Sequence, residues 1–440
     1  MKLPQYVTEC LDALENAGYA AYAVGGCVRD AVLGREPQDY DLCTEALPDA
    51  IREVFGDRKL VLAGLKHGTV GVVTEAGVVE ITTFRTEGGY ADGRHPDWVK
   101  FVPRIEEDLA RRDFTVNAMA YSPKRGFADP FGGRQDLQDG VLRTVGDPEQ
   151  RFREDTLRIL RGVRFASRFR LKAEAETAKK MFELAPLMEN LARERVFAEL
   201  SKLLETATAA DLKAFAPVIV AVIPELAPQV GFDQRTPYHR YDIFTHTAFV
   251  VENTPKELTL RWAALLHDVG KPSSFTVDER GQGHFKGHAG VGAEMADAIL
   301  RRLKAPTALR EAVVLLIEQH MAWPTPDKKL LRRWMSRLGV EMLEKLLDLQ
   351  EADTASKGYY KEEEKAQLRQ VRQIVAELKA ENACLKLQDL AVGGNDLMDL
   401  GFQGKAIGRC LKTLLELVLE EKLPNEKNAL LEAVQSMPKM

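Results

Sequence analysis

The chain has 440 residues, a formal net charge of −5, and 45% hydrophobic and 29% charged residues. That length exceeds what one core usually holds and predicts two to four domains of a soluble protein. No apolar stretch approaches the roughly 20 residues of a membrane helix, the five cysteines lack paired or metal-type spacing and fit a reduced, cytoplasmic setting, and the acidic balance confines any nucleic-acid binding to a local basic surface.

The opening MKLPQYVTECLDALENAG reads as an amphipathic helix with acidic residues, not a signal peptide. Through about residue 146, helices mix with short β-rich runs: YAAYAVGG from Tyr19, GTVGVV from Gly68, VVEITTF from Val78 and WVKFV from Trp98. After Gly146-Asp147-Pro148 the segments turn Leu/Ala/Glu/Lys/Arg-rich with helical spacing, which predicts an all-α remainder. The fold class is therefore α+β. Boundaries are expected at 1–146 (a mixed-sheet head), 147–236 (a helical neck and linker), 237–356 (a helical body) and 357–440 (a helical tail).

Chemistry concentrates first in VGGCVRDAVLGREPQDYDL, Val24 to Leu42. Gly25-Gly26 precedes a short helix, where a backbone approaches phosphate closely. Asp39 and Asp41 stand two apart, on one face of an extended segment, and two carboxylates there suit hard divalent cations. Glu80 lies in a predicted strand that can run beside them. In EEDLARRDFTVNAMAY, Glu106 to Tyr121, Arg111 and Arg112 can neutralise a triphosphate, and Asp113 and Asn117 can hydrogen-bond a ribose or phosphate. RFREDTLRILRGVRFASRF, Arg151 to Phe169, sets Glu154, Asp155, Arg158 and Arg161 along one expected helix side. A carboxylate beside a guanidinium offers an acceptor next to donors, roughly the edge of a base. Residues 143–172 hold nine basic against four acidic residues, a local charge of +5 that suits phosphate.

These three motifs resemble, in order, those of the polymerase-β-like nucleotidyltransferase superfamily, in the form used by class II tRNA nucleotidyltransferases (CCA-adding enzymes) and bacterial poly(A) polymerases. The resemblance implies a head that binds Mg²⁺ on Asp39 and Asp41, with Glu80 as third carboxylate. It also implies nucleotide contacts from Gly26, Arg29, Arg111, Arg112, Asp113, Asn117, Asp155, Arg158, Arg161 and Arg164. Asp155 and Arg158 would select CTP or ATP, and tRNA would be the other substrate. In CCA-adding enzymes a flexible loop that helps the switch from C to A stands where Thr83 to Pro96 lie here, and that glycine-rich stretch is expected to be mobile.

Six of the eight histidines fall between His239 and His320. His246, His267-Asp268 and Asp353 resemble the H…HD…D ligands of HD phosphohydrolases, with His288 and His320 as further ligands or phosphate contacts; His239 and His284 stay unassigned. Imidazole and carboxylate together suit Mg, Mn, Ni or Fe, so residues 237–356 are expected to be an HD domain with a second, phosphatase or phosphodiesterase activity. GGNDLMDLGFQGKAIGRCLKTLLELV, from Gly393, resembles the tail of bacterial members. Poly(A) or A-only addition is the alternative activity; the nearly neutral LEAVQSMPKM at residues 431–440 favours CCA addition. The readings of another class are an HD phosphohydrolase with a nucleotide-binding head and a non-catalytic RNA-binding or sensor protein.

Overall fold

A computed structural model describes residues 1–88, 98–238, 240–358, 362–381 and 383–435. The chain divides into two compact units, 1–224 and 225–440. The predicted head and neck thus share one unit, and the predicted body and tail share the other. Residues 225–236, assigned to the neck by sequence, belong with the second unit because their polar groups are satisfied there: Arg235 O accepts from Gly283 N at 2.8 Å and Gln234 Oε1 from Lys271 Nζ at 3.1 Å.

The first unit opens with α1 (Gln5–Asn16), whose Val7, Cys10, Leu11 and Leu14 fall at helical spacing and are buried. Its strands are β1 (Ala21–Val24), β2 (Asp41–Thr44), β3 (Leu60–Val61), β4 (Thr69–Thr74), β5 (Gly77–Thr83), β6 (Arg85–Gly88), β7 (Trp98–Phe101), β8 (Ala120–Ser122) and β9 (Gly126–Ala128). Seven of them form one sheet in the order β3-β4-β5-β2-β1-β8-β9, while β6 and β7 make a separate hairpin. All four runs read as strands from sequence are strands. β2 and β5 run parallel in a sheet whose other pairs are antiparallel, and their register sets Asp41 beside Glu80. The stretch expected to be one loop from Thr83 instead continues as β6; its remainder, 89–97, lies outside the described residues.

Helices α2 (Gly26–Val32), α3 (Pro48–Val54), α4 (Ile105–Ala110) and α5 (Gly133–Asp139) complete the head. Val24, Cys43, Phe84, Leu109 and Ala120 belong to one core packed against the sheet.

The neck departs from expectation. Arg151 to Phe169 is not one helix but two, α6 (Pro148–Glu154) and α7 (Leu157–Phe169), with Asp155 extended between them at φ −144° and ψ 103°. The Asp155 carboxylate accepts from Leu157 N at 3.0 Å, so a side chain competes for the backbone donor a continuous helix would use. Asp155 therefore does not share a helix face with Arg158 and Arg161. The unit ends with α8 (Ala175–Leu184), α9 (Arg193–Leu204), α10 (Ala209–Ala214) and α11 (Ala216–Val222).

The second unit is helical: α12 (Ile243–Asn253), α13 (Leu258–Leu266), α14 (His288–Arg302), α15 (Thr307–Gln319), α16 (Lys328–Leu338), α17 (Val340–Ser356), α18 (Glu362–Ala380), α19 (Gly394–Asp399), α20 (Lys405–Leu419) and α21 (Lys427–Gln435). Exceptions to the expected all-α remainder are two-residue strands, Lys172–Ala173 in the first unit and the pair Thr276–Val277 with Gly283–His284 in the second. Among the described residues no helix is long and apolar enough to cross a membrane.

Packing of α7 on α9 includes an ion pair between Arg164 Nε and Glu199 Oε2 at 2.6 Å, both side chains 8% exposed. Deleting one partner of such a pair leaves the other charge buried and uncompensated. Glu199→Ala should therefore destabilise the protein by about 3–5 kcal/mol in urea unfolding, far more than removal of the exposed partner Asp49 of Arg52.

Candidate functional site

In the first unit a cavity of about 410 Å³ gathers all three motifs. Gly25, Gly26 and Arg29 come from the start of α2, and Asp39 and Asp41 from the entry to β2. Arg111, Arg112, Asp113 and Asn117 follow α4, and Asp155, Arg158 and Arg161 lie on or beside α7. Asp39 precedes the strand and Asp41 is its first residue; both are exposed. Glu80 is exposed on the neighbouring strand, in register with Asp41 but outside the cavity lining. Arg164 also lies outside that lining, held by Glu199.

The first two motifs interlock. Gly25 has φ +71°, and a Cβ there would come within 2.8 Å of Arg112 Nη1, so the guanidinium occupies space any side chain would take. Arg29 Nη1 donates to Asn117 Oδ1 at 2.6 Å, and Asn117 Nδ2 donates to Asp113 Oδ1 at 3.1 Å. Asp113 Oδ2 accepts from Arg161 at 2.7 Å, which fastens α7 to the head. Burial pushes the Asp113 carboxyl up, but Arg161, Asn117 and Arg158 outweigh it and hold it down to about 2. Asp41 goes the other way: surrounding protein, then the carboxylates of Asp39 and Glu80, raise it against the pull of Arg112. Such repulsion on Asp41 is what a bound cation relieves, and Asp39 and Asp41 together suit a divalent ion, but with Glu80 they do not form a three-ligand group among the described residues.

Sequence reasoning missed four residues of this site. Asp108 is fully buried and accepts from Arg111 Nε at 3.0 Å, Arg112 Nη2 at 3.2 Å and Arg85 N at 3.2 Å, aiming both arginines of RRD. Its position three and four residues before them on a helix end was a readable signal. Glu87 holds Arg111 at 3.1 Å. Arg195 pairs with Asp155 at 2.9 Å and Phe165 lines the cavity. No local signal marks Arg195, forty residues downstream. Arg158 pairs with Glu154 at 2.7 Å rather than with Asp155, so Glu154 supports the cavity from behind that arginine.

The second unit brings His246, His267, Asp268, His288, His320 and Asp353 together. Candidate ligand atoms of His246, His267 and Asp268 lie within 4.8 Å of one another, as do those of Asp268, His288 and His320. Asp353 Oδ1 stands 3.0 Å from His246 Nε2. Each ring turns Nδ1 to a backbone carbonyl: Ser356 at 3.3 Å, Ala264 at 2.8 Å, Phe285 at 2.7 Å and Ile317 at 2.6 Å. A carbonyl only accepts, so each Nδ1 donates to it and each Nε2 is turned into the cluster, that of His246 toward Asp353 and that of His267 toward Asp268, whose charge raises the imidazole against the effect of burial. Burial keeps His288 and His320 neutral, so with Nδ1 protonated they oppose Nε2 lone pairs at 3.2 Å, while His267 Nε2 is buried 3.1 Å from Asp268. That donor set fits a metal cation. Burial first, then the neighbouring His267, lowers His320 to about 3, keeping it neutral. A cavity of about 500 Å³ adjoins the cluster and adds Lys271, Phe285 and Lys357. His284 pairs with exposed Asp278 at 2.9 Å, apart from the cluster, and His239 lies outside the described residues.

Known proteins match both units. Residues 21–143 match the family described as Poly A polymerase head domain, and residues 285–434 match tRNA nucleotidyltransferase domain 2. The chain is 45% identical over 212 residues to a CCA-adding enzyme of Geobacillus thermodenitrificans, covering 48% of this chain and 52% of that protein. It thus spans about half the length of the first such relatives. With a CCA-adding enzyme of Bacillus velezensis it is 32% identical over 428 residues, covering 97% of this chain and 96% of the relative. A crystal structure of the Bacillus stearothermophilus CCA-adding enzyme in complex with CTP superposes with a TM-score of 0.71 at 28% identity, covering 99% of this chain and 98% of that one.

The depressed Asp113 carboxyl makes an acid-stability prediction. Its folded value lies below the usual 3.8, so its stabilisation is complete above about pH 4 and is lost as pH falls toward 2. Asp113→Asn should lower stability at pH 7 by about 2 kcal/mol and flatten the acid limb between pH 4 and 2, read by denaturant melts across that range.

Proposed function

This chain belongs to the CCA-adding enzyme family, and from that premise we propose that it is a tRNA nucleotidyltransferase adding CCA to tRNA 3′ ends from CTP and ATP, without a nucleic-acid template. The observation that carries the reading is the convergence of three separate motifs on one 410 Å³ cavity edged by two acids. Arg111 and Arg112, held by Asp108, face the triphosphate. Asp113 and Asn117 hydrogen-bond the ribose or phosphates. Asp155 and Arg158 line the same cavity and present an acceptor and donors to the base edge, which discriminates cytosine and adenine from uracil and guanine. Asp39 and Asp41, with Glu80 beside them, hold Mg²⁺; bound there, the metal ions supply Lewis-acid stabilisation of the attacking and leaving oxygens. The protein's own work is to orient the triphosphate and the 3′-hydroxyl for in-line displacement of pyrophosphate.

The histidine cluster is a second, HD-type centre, in which His246, His267, Asp268, His288, His320 and Asp353 hold divalent metal (Mg, Mn, Ni or Fe) for phosphoester hydrolysis. Four inward Nε2 atoms, each ring held through Nδ1 by a backbone carbonyl, and the opposed His288 and His320 nitrogens support that assignment. Lys271, 2.8 Å from Asp268, and Lys357, 3.2 Å from Asp353, are placed to meet a phosphate.

Incubation with tRNA lacking its 3′ end, with each labelled NTP alone and in mixtures, should give C, C and A in order. A long product from ATP alone would identify a poly(A) polymerase instead. Asp41→Ala should abolish incorporation while tRNA still binds in a filter assay; retained incorporation overturns the metal assignment. For the second centre, His267→Ala should reduce the divalent metal that copurifies with the protein by at least half, measured by elemental analysis, and leave nucleotide incorporation intact.

A further inference from the structure

Two phenylalanine rings on α7, Phe165 and Phe169, stack at 6.0 Å with 28° between their planes. Phe165 lines the nucleotide cavity, and Arg29, Arg161 and Arg164 lie 5.5, 5.2 and 4.2 Å from its centre. Phe169, one turn further from the cavity, carries Arg29 at 4.1 Å, Arg35 at 5.3 Å and Arg168 at 5.4 Å. A ladder of rings and guanidiniums thus leads from the cavity to the surface, where Arg35 and Arg168 are exposed.

The inner and outer rungs differ in charge balance. Every cavity arginine is matched to a carboxylate: Arg29 to Asp30, Arg111 and Arg112 to Asp108, Arg158 to Glu154, Arg161 to Asp113 and Arg195 to Asp155. Arg35 and Arg168 form no ion pair among the described residues. Three guanidiniums around one ring with a single carboxylate between them repel one another. Stacking on the ring and the carbonyl ends of α2 and α7 offset only a fraction of that repulsion. Phosphate oxygens meeting the two outer groups relieve it. Phe169 stacks on Phe165, which lines the cavity, so an anion held at the outer ring lies one aromatic rung from the nucleotide site.

We propose that Arg35 and Arg168, braced on Phe169, form a phosphate-binding step just outside the nucleotide cavity that holds the sugar–phosphate backbone of the RNA strand being extended. The inference rests on the nucleotidyltransferase reading above. Proteins that grip single-stranded nucleic acid without reading its sequence track its backbone with positive charge, to which arginine adds cation–π contacts. The cavity's own arginines, already committed to carboxylates, remain for the triphosphate. The shared chemistry is phosphate, and the alternative source is the tail of the incoming nucleotide.

Steady-state incorporation and filter binding with tRNA lacking its 3′ end separate the two sources. Arg35→Ala combined with Arg168→Ala should raise the KM for tRNA about tenfold or more while the KM for CTP moves less than twofold. The slope of log affinity against log salt should fall by about 0.7 for each phosphate no longer neutralised. Replacing both by lysine should restore the salt slope but not the full affinity, because charge returns without the flat stacking surface. Arg52→Ala, which removes an exposed charge elsewhere on the head, serves as the control and should leave both KM values unchanged. A rise in the CTP KM with an unchanged tRNA KM assigns the pair to the triphosphate and overturns the proposal, as does no change in either. If wild-type protein incorporates nothing, the activity reading fails. Filter binding of labelled tRNA to the same variants then still decides the arginine step.

Discussion

The head pocket depends on one buried carboxylate. Asp113 accepts from Asn117, which in turn is gripped by Arg29 from the glycine-turn helix, and it anchors Arg161 of the neck helix. Three separate stretches of chain, around positions 29, 115 and 161, are thereby held to one another through four side chains. In a low-dielectric setting such a network is either fully satisfied or costly, because each unpaired member would leave a buried polar group. Its completeness explains how charged residues from separate elements keep fixed positions around a cavity with open access to solvent. Asp108 acts in the same way on its neighbours, turning two adjacent arginines with a single carboxylate.

The second unit uses another means to the same end. Its four inward histidines sit on different helices or at their ends, yet each is oriented by a main-chain carbonyl rather than by a side chain. For three of them the carbonyl lies three residues earlier in the chain, so the ring is aimed by the local turn of its own helix or loop. Local aiming makes the cluster tolerant of sequence change in the surrounding core while the donor set stays fixed. Asp268 then lies within reach of both histidine groups, with one oxygen nearest His267 and the other nearest His288.

Much of this was legible in the sequence because the decisive residues sit in short runs whose spacing has a geometric meaning. Asp39 and Asp41, Arg111 to Asn117, and His267-Asp268 declare themselves locally, and the strands around Val24, Val70 and Ile81 follow from their β-branched, glycine-bounded composition. What stayed hidden depends on tertiary pairing. Arg195 and Glu199 look like ordinary helix-surface charges until α9 is laid on α7, where they meet Asp155 and Arg164. The break at Asp155 was misread because helical spacing on both sides conceals one residue whose carboxylate caps the second helix. Arg164 lies outside the cavity lining, paired with Glu199, and its place in an arginine-rich helix does not say which face it takes.

The hairpin joining β4 to β5 has only Glu75 and Ala76 between paired residues Thr74 and Gly77, and Gly77 takes φ +127° to close it. Side chains along a strand alternate between faces, so the length of that tip fixes the parity of everything beyond it. A one-residue slip of β5 against β2, starting from that tip three residues before Glu80, would turn Glu80 away from Asp41 and swap it with a core position such as Val79 or Ile81. The acidic edge of the head is in this sense measured out by a two-residue ruler at the end of the strand that carries it.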